Sequence, residues 1–141
     1  MKKVVALLLL LAALCTLASP VLAEESSGEV SPQYTYAHLV AVQLHISNDK
    51  ARVNVVCMPK DMDASVSIVT YLEKQVNGKW TRFAIPQRYN QWTYGPKKGT
   101  ANLEYTAPVS DGGTYRAVAV YTLTKTTSET ITRSYTYVYT K

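Results

Sequence analysis

Chemistry in this 141-residue chain has few side chains to draw on, because it contains only two histidines and ten carboxylates. His38 and His45 fall on one stretch of alternating residues, an odd number of positions apart. An extended strand points such a pair to opposite faces, so they cannot close together on a metal ion. A nucleophilic triad needs a histidine within reach of both an acid and a hydroxyl. Here His38 shares the face of Val40, Val42, Leu44 and Ile46, and His45 lies with Gln43 and Ser47 on the solvent side. The carboxylates sit in turns (Asp49, Asp61, Asp63, Asp111) or at outward strand positions (Glu73, Glu104, Glu129), and none forms the facing pair that glycoside hydrolysis uses. Asp61-Met62-Asp63 offers a cation two acids, short of the about six to eight oxygens that calcium takes. Gly112-Gly113 is explained by turn geometry rather than by a phosphate cradle. The expectation is a non-enzymatic chain with no catalytic residue, no metal ligand and no cofactor. A small secreted hydrolase with an unrecognised site is the rival reading, and a structural or inhibitory exoprotein a third.

Aromatic residues make the better case for a site. Between residues 86 and 100 lie Tyr89, Asn90, Gln91, Trp92 and Tyr94, a mixture of flat apolar rings and amides. Rings of this kind stack on sugars and amides bond to hydroxyls, and the same mixture serves protein-binding loops. Tyr89, Trp92 and Tyr94 are therefore the expected binding residues, with a protein or a carbohydrate as partner. The competing possibility is that Trp92 closes one end of a core and meets no ligand. The terminal run Tyr135-Thr136-Tyr137-Val138-Tyr139-Thr140 has high strand propensity and no charge, so at a sheet edge it could pair with another chain, or it pairs ordinarily inside the fold.

The elements that must carry these residues are strands. From Tyr34 onward apolar residues recur at every second position and β-branched and aromatic runs alternate with turn clusters. One run ends at the turn Asn48-Asp49-Lys50, a second puts Ala51, Val53, Val55 and Cys57 inward against Arg52 and Asn54, and a third carries Val66, Ile68, Thr70 and Leu72 on one side. Asn77-Gly78 is the preferred pair for a two-residue hairpin turn with positive φ at both positions. Pairing across it sets Leu72 opposite Phe83 and Glu73 opposite Arg82, so the apolar and the charge patterns agree on one register. Residues 86–100 form a longer connection with room for one short strand. Ala101, Leu103 and Tyr105 alternate in the next strand; Tyr115, Ala117, Ala119 and Tyr121 share a face of the one after it; a final strand covers about residues 129–140. About seven antiparallel strands result, the number of an immunoglobulin-like β-sandwich.

Asp111-Gly112-Gly113-Thr114-Tyr115-Arg116-Ala117 resembles the immunoglobulin-superfamily pattern Asp-x-Gly-x-Tyr-x-Cys at the sixth strand, the tyrosine corner. The resemblance implies that the Tyr115 hydroxyl bonds to backbone upstream while its ring packs at the edge of the sandwich. Ala117 stands at the cysteine position, so the inter-sheet disulfide of antibody domains is absent, and the buried third-strand tryptophan is missing, the nearest being Trp80. Together with Tyr71-Leu72-Glu73-Lys74, Gly78-Lys79-Trp80 and Gly113-Thr114-Tyr115-Arg116-Ala117-Val118, the chain is similar to small secreted immunoglobulin-like or fibronectin-type domains of Gram-positive bacteria. That likeness implies a fold and a compartment and brings no catalytic residue with it.

The first residues point the same way. Met1-Lys2-Lys3, the apolar stretch that follows and the small-residue site Val21-Leu22-Ala23 are ordered as in a signal peptide, and the apolar run is shorter than the about 20 residues that span a bilayer. Cleavage after Ala23 is expected, with Leu14 before Cys15 arguing against lipidation. Residues 24–33 read as a flexible leader and residues 34–141 as the domain. The net charge of +5 falls when Lys2 and Lys3 leave, and the remaining charge is scattered, without a nucleic-acid signature. Cys57 alone stays in the processed chain, so no internal disulfide can form, and its place beside Val53 and Val55 reads as a buried small hydrophobe. The expected product is a secreted binding or interaction module, with no nucleic-acid partner and no membrane contact after cleavage; its oligomeric state is left open.

Overall fold

Strands whose apolar side chains fall on one face must bury that face against a second layer. Eight strands do so here: β1 (Ala37–Ser47), β2 (Lys50–Pro59), β3 (Ser65–Val76), β4 (Lys79–Arg82), β5 (Trp92–Lys98), β6 (Ala101–Pro108), β7 (Gly113–Thr124) and β8 (Ser128–Tyr139). The computed structural model describes residues 32–141, and the expected signal peptide and most of the expected leader lie outside the described residues. One sheet has the order β1-β2-β6; the other has the order β4-β3-β7-β8, with β5 also paired to β3. Every pairing is antiparallel. The fold is the all-β, immunoglobulin-like sandwich expected, with β5 as the short strand for which residues 86–100 had room.

Both short hairpins use paired positive φ: Asn48 and Asp49 at 51° and 57°, Asn77 and Gly78 at 50° and 76°. Such turns twist with the strands they join and so fix the register. Across the second of them Glu73 pairs with Arg82, and the Phe83 amide donates to the Leu72 carbonyl at 2.9 Å. The charges, however, do not pair across that hairpin. Glu73 accepts from Arg116 Nε at 2.5 Å, from the strand on its other side, while the Arg82 guanidinium lies 3.3 Å over the Tyr71 ring.

Alternation fails at one expected inward position. His38 is exposed rather than facing the core with Val40 and Val42, because a bulge between Ala37 and Leu39 shifts the register against β2. The extra residue lets Ala37 turn inward at 2% exposure and leaves His38 and Leu39 outside.

Between the sheets Val53, Val55, Val66, Leu72, Ala117, Ala119 and Leu123 are wholly buried, and so are two tyrosines, Tyr115 and Tyr121. A buried phenol needs an acceptor. Tyr115 donates to the Asp111 carbonyl at 2.7 Å, which is the tyrosine corner, and Tyr121 reaches across to the other sheet and donates to the Ala41 carbonyl at 2.5 Å. Burial pushes the Tyr121 phenol well above its ordinary range.

Cys57 is buried and unpaired, and burial pushes its thiol up to about 11 from an ordinary 9.0. The unfolded chain therefore ionises this thiol first as pH rises, so its contribution to stability is complete below the unfolded value and disappears as pH climbs through the folded one. Urea midpoints measured from pH 8 to 11 should fall, and Cys57→Val should show a smaller fall, the raised phenols of Tyr121 and Tyr105 supplying the remainder. Thr70 is the one buried polar side chain without a partner among the described residues: its Oγ1 makes no hydrogen bond. Thr70→Val removes that unpaired hydroxyl at constant shape and should stabilise the fold by about 1 kcal/mol, read as a raised urea midpoint at unchanged slope.

Candidate functional site

Strands β4 and β5 lie along the same edge of β3. Lys79 to Arg82 pair with Val76 to Glu73, and Trp92 onward pair with Thr70 back to Ser65. The two are successive pieces of one edge strand, and residues 83–91 leave it between Glu73 and Thr70 and return almost where they left. Loops with close ends, packed by their own side chains, are frequent carriers of function. This one is pinned by Phe83, whose ring meets Tyr115 edge-on at 5.5 Å and 86°, and by the buried Ile85. The Asn90 side chain closes it, its Oδ1 accepting the Ile85 amide at 3.3 Å, while the Asn90 amide donates to the Gln87 carbonyl at 3.1 Å.

At the tip, Tyr89 and Asn90 both take left-handed backbone, with φ of 61° and 51°. Asparagine tolerates that region; for tyrosine it is strained by about 1–2 kcal/mol. The conformation holds the Tyr89 ring out in solvent, 70% exposed. The Arg88 guanidinium lies 4.6 Å from the centroid of that ring.

Trp92 occupies a different environment from Tyr89. It is 6% exposed and stacks flat on Tyr105 of β6, centroids 5.0 Å apart and planes within 3°. Since β5 and β6 belong to opposite sheets, this stack closes one long side of the sandwich, and burial raises the Tyr105 phenol, with nearby Tyr94 adding to the effect. Tyr94 is half-buried opposite Ile68, with Lys97 Nζ 5.3 Å from its ring centroid. The strand that carries these rings is held close to β3 at Gly95, where φ is +83° and a Cβ would run into the Val66 carbonyl oxygen.

Beside the closed edge the loop encloses an open depression of about 510 Å³. Its wall is made by Tyr89 and Arg88 from the tip, Gln87 and Gln91 from the two limbs, and Trp92 with Tyr105 at the back. Of the three residues expected to bind, Tyr89 and Trp92 line the depression and Tyr94 does not. Tyr89 offers a ring face to solvent, and Trp92 forms the wall while sealing the core. Sequence reading missed Gln87, Arg88, Thr93 and Tyr105. The alternation of Ala101, Leu103 and Tyr105 marks Tyr105 as inward, but which strand faces it across the gap is a matter of tertiary packing. Among the described residues no group of three or more His, Cys, Asp or Glu gathers where a metal ion could be held.

The contrast between the rings is measurable as stability. Trp92→Ala should destabilise by about 3–5 kcal/mol, as large-to-small changes of buried rings do. Tyr89→Gly should leave the fold intact and raise stability by roughly 0.5 kcal/mol, the relieved left-handed strain exceeding the added freedom of glycine in the unfolded chain. Denaturant unfolding of the two variants checks both. The chain matches no protein-family model and no curated protein.

Proposed function

We propose that this chain is an exported, non-enzymatic binding module that holds a carbohydrate in the depression beside the 83–91 loop. The observation that carries the reading is Tyr89: a tyrosine held in left-handed backbone by its neighbours' hydrogen bonds, with its ring 70% exposed. Strain of this kind persists where surrounding structure enforces it, and it clusters at ligand sites. The size of the depression lies in the range of small-ligand sites rather than of flat protein interfaces. Its chemistry supports a sugar: an exposed tyrosine ring for the apolar side of a pyranose, and the amides of Gln87 and Gln91 for hydroxyls. The lining groups are amides, rings, the Thr93 hydroxyl and a guanidinium, which hold a ligand without exchanging protons with it at neutral pH. Export rests on the order of charged, apolar and small residues at the start of the chain.

Glycan-array binding of the processed protein, compared with Tyr89→Ala, tests the proposal. The wild type should retain a subset of glycans and leave their chain length unchanged on prolonged incubation, and Tyr89→Ala, folded to the same circular dichroism spectrum, should lose at least about tenfold in affinity, in line with removal of a stacking ring. Equal binding by both proteins, or none by either, would overturn the reading.

A further inference from the structure

Charge around the loop narrows the ligand further, on the assumption that the depression is a sugar site as proposed above. Arg88 is the cation in its wall, and no carboxylate lines it. The acids of the domain are engaged elsewhere. Asp49, Asp61, Asp63, Glu73 and Asp111 each pair with a lysine or arginine other than Arg88, and both oxygens of Glu129 accept backbone amides, from Thr35 and Tyr36 at 2.7 Å each. Glu104 lies on β6 next to Tyr105 in sequence, and alternation turns it to the other face of the sheet, exposed. Arg88 is thus a guanidinium that nothing among the described residues neutralises.

The Arg88 guanidinium lies 4.6 Å from the Tyr89 ring centroid, which draws it toward the ring, and a guanidinium carries its N–H groups in its own plane, along its edge. That edge matches a planar carboxylate, which accepts two parallel N–H bonds from an arginine. A neutral sugar would leave this cation to water, whereas a sugar bearing a carboxylate would give it a charged partner beside the Tyr89 ring.

We infer that the ligand is an acidic glycan of the uronic-acid type, with its carboxylate on Arg88 and its ring beside Tyr89. The basic balance of the chain, +5 overall and +3 once Lys2 and Lys3 leave with the signal peptide, favours the encounter with such a polymer without defining the site.

The test compares oligogalacturonate and oligoglucuronate with their methyl esters, which keep the ring and hydroxyls and lose the charge. Titrations of the processed wild type, Arg88→Gln and Arg52→Gln are followed by calorimetry; Arg52 is an exposed arginine on the outer side of β2 and controls for general basicity. At least one acid form should bind the wild type at least about tenfold more tightly than its ester, as loss of a charge-assisted pair predicts. Arg88→Gln should erase that difference and Arg52→Gln should keep it. Equal binding of acid and ester overturns the inference and leaves the sugar site standing. A preference that survives in Arg88→Gln overturns it too, because the charge read would then be diffuse. If neither form binds while neutral glycans are held through Tyr89, the acidic ligand is wrong; if no glycan of any kind binds, the sugar site itself falls.

Discussion

Burial of the inner faces of β3 and β7 against β1 and β2 holds the two sheets together, and it does so without a covalent tie. Cys57 sits wholly buried on β2, but position 117 on β7, where the immunoglobulin pattern places a cysteine, is alanine. Ala117 and Ala119 are small, and the space between sheets is taken up by the large neighbours on the same strand, Tyr115 and Tyr121. Each fully buried apolar side chain contributes about 1.5–3 kcal/mol, so the aliphatic residues of β2, β3 and β7 supply most of the driving force. The tyrosines add direction. One hydroxyl bonds to the turn before β7 and the other to the backbone of β1, so the second ties the two sheets at a defined point, as a disulfide would, with a bond worth about 1 kcal/mol.

A core built this way has open sides that must be closed. Toward β1 and β8 the closure is polar as well as apolar: the Glu129 carboxylate takes the amides of Thr35 and Tyr36, and His45 meets Tyr137 edge-on at 5.4 Å. On the opposite side β5 and β6 face each other, and the Trp92–Tyr105 stack fills the gap. β3 therefore has to accept β5 along its first half and β4 along its second. The chain between these two pieces has nowhere to go but outward, and the 83–91 loop is the result. The interruption also blunts the sheet edge, where a continuous row of free backbone groups would invite pairing with another chain.

Much of this was legible from period and turn chemistry. Alternation assigns the inner faces of β2, β3 and β7 correctly, because each of those strands is long and flanked on both edges, and carries an unbroken series of apolar or small residues at every second position, on its inner face. Asn77-Gly78 fixes its hairpin and register for a local reason, the positive φ that both residues tolerate. His38 was misplaced for an equally local one: a bulge inserts a residue into the pairing and leaves no mark in composition. Arg82 shows another limit. Cross-strand charge pairing predicts its register, but its guanidinium goes to Tyr71 and Glu73 goes to Arg116, since β7 lies on the far side of β3 and sequence does not announce that neighbour. The aromatic segment was visible as a cluster of rings. That Trp92 closes the core was one of the two readings open to it; what stayed hidden was its partner Tyr105, arriving from the other sheet, and the outward turn of Tyr89.

With Trp92 inward and Tyr89 outward, one short segment both seals the core and lines the depression. Trp92 and Tyr89 are three residues apart, and a regular edge strand would put them on opposite faces of the sheet, with the tyrosine on the outer surface beside Tyr71 and Glu73. Leaving the strand at Phe83 and turning through left-handed backbone at Tyr89 and Asn90 instead carries the tyrosine around to the same side as the Trp92–Tyr105 wall. Strain of about 1–2 kcal/mol is thereby set against the anchoring of Phe83, Ile85 and the Asn90 side chain, which together exceed it. The depression exists because the anchors lie in the core and the strained residue does not. A ring moved onto the regular strand would be better accommodated by the backbone and would enclose nothing.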